Sequence, residues 1–273
     1  MIIDGHAHLG GEYKNLETIL STLERTGVDK VVLCPADSRR QEAFPIPDIA
    51  GKLPDKELNF VVNRLIRSAS LKAQHQINID TGNTGIFDIS GKSGGRIFQF
   101  FWANPLKESI IEEIETKLNV WRFKGIKLHQ GCHPFKIKSS HFNNIAEFAV
   151  SKSLPLFIHL YSKKEVMDFI SVSGNYKTTF IIGHLIGLEI FIQERKKISN
   201  NTYFDISCPP LVSSDRIKKA INQFGPEKIL MGSDTPYGKN NLKLILSRIR
   251  SLNLPARACE MILGNNMRNI LMI

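Results

Sequence analysis

The chain has 273 residues, of which 42% are apolar, and its formal net charge is +10. This length and apolar content allow a large buried core, in one sizeable α/β domain or two small ones, and no compositional break forces a division. The four cysteines, Cys34, Cys132, Cys208 and Cys259, lie far apart with no C-x-x-C pair, which argues against a disulfide framework or a cysteine zinc site.

Hydropathy and the distribution of charge indicate which classes of binding partner to expect. The N-terminal apolar stretch is too short for a secretion signal, and the longest apolar run, residues 180–192, is too short to span a bilayer. The basic residues are dispersed, with the densest cluster at 194–197, so we interpret the charge as a solvated surface, with attraction of an anionic substrate as the alternative. We therefore expect a cytoplasmic protein without a membrane or nucleic-acid partner.

Short runs rich in β-branched and aromatic residues alternate along the chain with longer amphipathic segments. The predicted strands span residues 2–5, 30–35, 96–102, 125–130, 156–161, 179–184, 203–207 and 228–234. The predicted helices span residues 15–27, 108–118, 141–152, 164–174, 214–225 and 241–252. Apolar strands separated by helices indicate a parallel sheet covered on both faces, and eight such units predict a TIM (β/α)8 barrel, one domain over residues 1–273. An open doubly wound sheet gives the same alternation.

One region departs from this alternation. Residues 37–95 contain the Pro-rich stretch AFPIPDIAGKLP, a predicted helix within residues 57–76, and a Gly/Ser/Asn-rich tract that ends in SGKSGG. We interpret it as an elaborated crossover between the second and third strands. SGKSGG lacks the spacing of a phosphate-binding loop.

The stretch IIDGHAHLG, residues 2–10, places two histidines two positions apart directly behind an apolar run. Residues i and i+2 of a strand point to the same side, so His6 and His8 can aim both imidazoles at one metal ion. Polar groups also close three other predicted strands, at His159, His184 and Asp234. In a parallel barrel the carboxyl ends of the strands share one face, so these residues are predicted to meet there.

With DGHAH at the start, and with GIKLH, FIHLYS, GHLIG, GSDTPYG and ILGNNMRNIL further along, the chain resembles the amidohydrolase superfamily. The likeness is to its amidohydrolase-related branch of metal-dependent hydrolases and decarboxylases on distorted (β/α)8 barrels. It implies that His6, His8, His159 and Asp234 bind a divalent metal, and that His184 either binds a second metal or acts on the substrate.

The chemistry of these residues agrees with a metal-dependent reaction. Imidazoles and one carboxylate suit zinc best, with iron, manganese, cobalt or nickel as alternatives. Such an ion makes hydroxide available near neutral pH, and Asp234 could take the proton during attack. His184 could hold the developing oxyanion or donate a proton. Asp4 is either a partner of a ligand or a buried structural carboxylate.

Four further residues are candidate substrate-binding groups. Lys127 and His129 share one face of the fourth strand, and a lysine inside an apolar strand is costly unless paired. Lys127 resembles the carboxylated lysine that bridges two metals in some superfamily members; the alternatives are orientation of a substrate carboxylate or water, and a structural ion pair. Trp102 and Tyr161 either stack against substrate or pack in the core. Either of the arginines at 39 and 40 could clamp an anion, with a solvated arginine as the alternative.

The leading hypothesis is a hydrolase that cleaves a C–N or C–O bond of a small molecule, such as an amide, cyclic amide, ester or lactone; an anionic substrate is one option. The alternative is nonoxidative decarboxylation or hydration of a small carboxylate on the same metal site, because fold and ligands do not separate these reactions. A metal-dependent nuclease is a third alternative, prompted by the charge and by SDTPYG, which resembles the ending of TatD-type nucleases; the glutamate-bearing fourth-strand motif of those enzymes is absent. A noncatalytic ligand-binding barrel is a further alternative. Homodimers are common in such folds, but no residue of this sequence indicates dimerisation.

Overall fold

The computed structural model describes residues 1–36, 46–72 and 79–273. The two arginines predicted as anion clamps, at positions 39 and 40, lie outside the described residues. In the part of the chain that is described, eight strands form one parallel sheet in sequence order, which confirms the predicted barrel. The strands are β1 Ile3–His8, β2 Lys30–Cys34, β3 Ile97–Trp102, β4 Gly125–His129, β5 Leu156–His159, β6 Phe180–Ile182, β7 Thr202–Asp205 and β8 Ile229–Leu230.

The two ends of the sheet are joined by backbone hydrogen bonds between β1 and the segment that follows β8. The amide of Gly5 donates to the carbonyl of Met231 at 2.9 Å, and the amide of Asp234 donates to the carbonyl of His6 at 2.8 Å. The amide of His8 in turn donates to the carbonyl of Thr235 at 2.7 Å. These bonds close the barrel, which decides against the open doubly wound sheet.

Helices cover the outside of the sheet. The described helices are α1 Leu16–Thr26, α2 Asn59–Lys72, α3 Ile79–Ser90, α4 Ile110–Trp121, α5 Ser140–Ser151, α6 Lys163–Ser173, α7 Leu188–Gln193, α8 Ser214–Phe224, α9 Asn241–Ser251, α10 Ala256–Glu260 and α11 Asn266–Leu271. Among them, no helix has both the length and the apolar character needed to cross a bilayer. The four cysteines are free thiols in this structure.

The boundaries of α1 show how local sequence sets an element. The side chain of Asn15 accepts a hydrogen bond from the amide of Thr18 at 2.9 Å, and the Thr18 hydroxyl accepts one from the amide of Asn15, which together cap the first turn. The helix ends at Gly27, whose φ of 69° is a left-handed conformation that costs glycine little.

Alternation along the strands separates an apolar barrel interior from a polar rim. Phe100, Phe157 and Ile181 belong to a small buried cluster that Met267 and Leu271 of α11 pack against. Phe157 and His159 lie two residues apart in β5, so they point to the same side, the phenylalanine deeper and the histidine at the carboxyl end. The layer above the apolar floor therefore consists of polar side chains.

The crossover between β2 and β3 contains α2 and α3. Composition did not predict α3, which lies in the Gly/Ser/Asn-rich tract. Its Asn83 side chain donates to the carbonyl of Trp102 and accepts from the amide of Trp102, at 2.9 and 3.0 Å, which holds α3 against the end of β3. Tertiary hydrogen bonding of this buried asparagine outweighs the low helix propensity of the tract.

A buried ion pair connects the start of α2 to the barrel. The guanidinium of Arg216 in α8 contacts Glu57 at 2.7 Å and Glu189 at 2.9 Å, and the Arg216 side chain is 2% exposed. Glu57 also accepts hydrogen bonds from the side chain of Asn59 and the amide of Gly187. The crossover is thereby fastened to the loop that follows β6.

Arg216→Leu is expected to lower the free energy of unfolding by about 3 kcal/mol, because removing one partner leaves the buried Glu57 carboxylate uncompensated. Urea denaturation followed by far-UV circular dichroism measures the change. Lys219→Leu is the matched control, because the exposed Lys219 contacts Glu189 at 3.5 Å; it should cost about 0.5 kcal/mol or less. Equal unfolding midpoints for the two variants would contradict an anchoring role for Arg216.

Candidate metal centre and active site

Barrel closure brings the two most specific sequence motifs into contact. His6 Nε2 lies 3.3 Å and His8 Nε2 lies 3.4 Å from Oδ1 of Asp234. All three side chains are buried. Asp234 follows β8 with a φ of 58°, a left-handed conformation that is unusual for a residue other than glycine. The closure bonds hold this turn beside β1.

His184 completes the tightest group of candidate ligands. Within the described part of the chain, ligand atoms of His6, His184 and Asp234 all lie within 4.8 Å of one another, the one such group that could hold a metal ion. His184 sits in a short 3-10 turn directly after β6, with a φ of 56°. His184 thus lies within 4.8 Å of His6 and Asp234, two of the residues predicted to bind the first metal.

His159 lies beside this group, and its ring centre is 5.0 Å from that of His184. Its Nε2 is 2.6 Å from Oδ1 of Asn63, a residue of α2. On its other side the His159 ring stacks on His129 with ring centres 3.9 Å apart. The structure therefore places all five predicted ligands at one end of the barrel, with His159 at the edge of the group.

Neighbouring groups decide which nitrogen of two imidazoles carries a lone pair. His8 Nδ1 is 2.6 Å from the carbonyl oxygen of Pro35, which can only accept, so Nδ1 donates and Nε2 keeps its lone pair. The Ser207 hydroxyl donates to Asp205 and lies 2.9 Å from His184 Nδ1, so it accepts from this nitrogen. The Nε2 atoms of both rings are then available to a cation.

The resulting arrangement fits a metal ion. His8 Nε2 faces the carboxylate oxygen of Asp234 at 3.4 Å, while His8 Nδ1 is engaged by the carbonyl of Pro35. Nitrogen and carboxylate oxygen atoms held this close together can bind the same cation. Imidazole nitrogens with one carboxylate are also a donor set suited to zinc or a related divalent ion.

Burial governs the protonation of the site. It lowers the pKa of His6, His129 and His159 well below the usual value, so these rings are neutral. Burial would raise the pKa of the Asp234 carboxyl, but the adjacent His184 and His6 lower it well below its usual range. Neutral imidazoles and an ionised carboxylate are the forms that bind metal.

Lys127 is completely buried in β4 beneath this group. Its Nζ lies 3.2 Å from His6 Nε2 and 3.8 Å from the centre of the Phe157 ring. Among the described residues no carboxylate lies within ion-pair distance of it. Burial lowers the pKa of Lys127, which favours the neutral amine.

Asp4 does not reach the candidate ligands. Its carboxylate accepts a hydrogen bond from the amide of Ser233 at 2.8 Å and from the hydroxyl of Tyr13 at 3.0 Å. Burial raises the pKa of Asp4 to about 7. Asp4 is therefore a structural carboxylate that fixes the turn carrying Asp234.

Of the predicted substrate-binding residues, Trp102 and His129 lie beside the candidate ligands, whereas Tyr161 packs against the crossover helix. Trp102 stacks on His129 with ring centres 5.6 Å apart and lies edge-on to His8 at 5.9 Å. The Trp102 ring is 2% exposed, and its Nε1 has no hydrogen-bond partner among the described residues. Tyr161 stacks instead under the guanidinium of Arg67 at 3.7 Å. Trp102, His129 and His159 thus form a continuous row of rings beside the metal group.

Sequence reasoning missed the residues that support the ligands. Asp205 and Ser207 close the seventh predicted strand as His159 closes the fifth, so the same criterion could have found them. Asn59, Asn63 and Arg67 lie at four-residue intervals in the predicted crossover helix, a pattern that equally fits a solvated helix face. Only the fold shows that this face points into the barrel.

Comparisons with known proteins agree with the geometry. A family model described as Amidohydrolase matches residues 69–270. No curated protein matches the chain in sequence at a significant level.

Solved structures share the fold at low identity. The chain is similar to 5-carboxyvanillate decarboxylase from Sphingomonas paucimobilis, with a TM-score of 0.70, 14% identity, and coverage of 100% of this chain and 99% of that one. It is also similar to a probable 2-pyrone-4,6-dicarboxylic acid hydrolase from Acinetobacter baumannii, with a TM-score of 0.68, 12% identity, and coverage of 100% of this chain and 99% of that one. A third similar structure is a 4-oxalomesaconate hydratase from Rhodopseudomonas palustris, with a TM-score of 0.67, 15% identity, and coverage of 100% of this chain and 96% of that one. At these identities the likeness shows the fold alone.

Ser207→Ala is expected to weaken Zn²⁺ binding by about 10- to 100-fold, because His184 Nδ1 loses the acceptor that orients its ring. Competition titration against a chromogenic chelator measures the affinity. Ser173→Ala is the matched control, since Ser173 is equally buried but lies in α6 and bonds the carbonyl of Ile170. Unchanged affinity in Ser207→Ala would mean that His184 is not a ligand.

Proposed function

The chain belongs to the amidohydrolase family, and we propose that it is a metal-dependent enzyme that hydrolyses a C–N or C–O bond of a small anionic molecule. The observation that carries this proposal is the group of imidazoles that surrounds the ionised Asp234 carboxylate at one end of the barrel. Such a group binds a divalent cation and keeps a base beside it.

In this proposal His6, His8, His159 and Asp234 hold the cation, and His184 either holds a second ion or acts on the substrate. Zinc is the expected metal, because its borderline softness matches nitrogen donors with one carboxylate. When bound, the ion supplies Lewis-acid polarisation of a substrate oxygen and makes a water molecule more acidic. The remaining chemistry comes from the side chains of the chain itself.

Asp234 is the proposed general base. Its ionised carboxylate accepts a proton from the attacking water and then delivers it to the leaving group. His184, whose Nδ1 is engaged by Ser207, directs Nε2 toward the same space. If it binds no second ion, it takes up a proton from solvent on Nε2 before attack, and this N–H stabilises the developing oxyanion. Burial of the whole group excludes bulk water and strengthens these electrostatic interactions.

Lys127 and the row of rings are the proposed substrate contacts. The Lys127 amine, next to His6, orients a substrate carboxylate or the water molecule; a carbamate on this amine is the competing assignment, which an intact-mass measurement would reveal. His129 Nδ1 accepts hydrogen bonds from the amides of Gly131 and Cys132, so its Nε2 carries hydrogen and is a donor. Trp102 adds a flat wall and a donor without a partner among the described residues.

Asp234→Asn and His6→Ala should each reduce the bound metal and lower kcat/KM by about 10³-fold or more, because each removes a ligand and the first also removes the base. Elemental analysis of the purified variants measures metal content, and thermal unfolding checks the fold. The matched controls are Asp168→Asn and His141→Ala, which lie outside the candidate site. Retention of stoichiometric metal in both Asp234→Asn and His6→Ala would contradict the ligand assignment.

A second candidate, nonoxidative decarboxylation or hydration of a small carboxylate, is favoured by the row formed by Trp102, His129 and His159. Stacked rings suit a planar unsaturated acid, and the solved decarboxylase and hydratase share this fold. Family and fold do not decide between the two reactions.

We expect the metal-loaded enzyme to open a lactone or cyclic amide that carries a carboxylate, and to release no carbon dioxide from aromatic carboxylic acids. A pH-indicator assay of ring opening, run beside a coupled assay of carbon dioxide, separates the reactions. The Asp234→Asn variant sets the background of both assays. Carbon dioxide release without any ring opening would overturn hydrolysis in favour of decarboxylation.

A further inference from the structure

One face of the crossover helix α2 contacts the ends of three barrel strands. Asn59, Asn63 and Arg67 lie four residues apart, so they share this face. The side chain of Asn59 donates to the carbonyl of His184 at 3.0 Å, and Arg67 donates to the carbonyl of Gln130. Between them, Asn63 contacts the end of β5.

The contacts of Asn63 determine how its amide is oriented. Its Nδ2 lies 2.9 Å from the carbonyl of Leu160 and 2.9 Å from the carbonyl of Tyr161. Carbonyl oxygens only accept hydrogen bonds, so the NH₂ group must face these two. The side chain is completely buried, and no rotated amide would satisfy both carbonyls.

The oriented amide in turn decides the tautomer of His159. Asn63 Oδ1 is 2.6 Å from His159 Nε2, and an amide oxygen can only accept, so Nε2 must carry the hydrogen. In the neutral ring the lone pair then lies on Nδ1. Nδ1 is therefore the nitrogen of His159 that can bind a cation.

We propose that Asn63 is a positioning residue that holds His159 in its Nε2–H tautomer, so that Nδ1 is presented to the metal group. The proposal rests on the metal site of the proposed function. It makes the crossover helix part of that site: α2 is anchored through Glu57 and Arg216, and it carries the acceptor that prepares His159. In this proposal, the ligand set assembles correctly only when α2 is packed against the barrel.

The direct test is the tautomer of His159 in the metal-free protein, measured by long-range ¹H–¹⁵N correlation spectra and assigned with His159→Gln. The wild type should show the Nε2–H form. Asn63→Leu, which removes the acceptor, should shift His159 toward a mixture of tautomers and weaken Zn²⁺ binding by about 10- to 100-fold.

Asn59→Leu is the matched comparison, because Asn59 belongs to the same helix face but contacts the backbone of His184 and not a ring. It should leave the His159 tautomer unchanged. Should Asn63→Leu fail to fold, the smaller Asn63→Ser admits water to the two carbonyls and replaces it in the test.

Two results would overturn the proposal: an Nδ1–H tautomer in the wild type, or an Asn63→Leu protein with wild-type tautomer and wild-type Zn²⁺ affinity. The proposed function fails separately, if the wild type shows the Nε2–H form but binds no metal. In that case the control of the tautomer by Asn63 stands without its consequence for the metal.

Discussion

Closure of the barrel is the constraint on which the rest of this structure depends. The first strand must bond to the segment after the last one, and the bonds from Gly5 to Met231 and from Asp234 to His6 accomplish this. Asp4 reinforces the same junction through the amide of Ser233. Because the histidine motif and Asp234 belong to the two segments that close the sheet, the same bonds that complete the fold also assemble the core of the site. A change that loosened this junction would therefore disturb stability and metal binding together.

Burying these polar imidazole rings costs free energy, and a hydrogen bond from each ring to a neighbouring group offsets part of that cost. A neutral imidazole has one donor and one acceptor, and burial leaves neither to water. Pro35 accepts from His8, Ser207 accepts from His184, and in our proposal Asn63 accepts from His159. Each partner leaves a lone pair for the cation. These partners come from the ends of β2 and β7 and from the crossover, so the ligand set depends on parts of the chain that hold no ligand themselves.

The fold and the ligand group narrow the chemistry without naming the reaction. Structures with this fold include a decarboxylase, a probable hydrolase and a hydratase. What distinguishes these reactions is how the substrate is held next to the cation, and this depends on loops and on residues such as Trp102, His129 and Lys127. The buried lysine without a carboxylate partner among the described residues and the row of stacked rings are the features of this chain that bear on that choice.

The sequence by itself determined the order of strands and helices and the positions of the candidate ligands, because strand alternation and polar residues at the ends of apolar runs are local patterns. It thus placed His6, His8, His159, His184 and Asp234 at one end of a barrel. It left α3 unpredicted, because that helix is held by Asn83 against β3. It also left three features open: the surroundings of Lys127, the hydrogen-bond partners of Asp4, and the contacts of Asn63. Only the tertiary structure decided these, because hydrogen bonds between residues far apart in the chain depend on how strands and crossover pack, which no local pattern encodes.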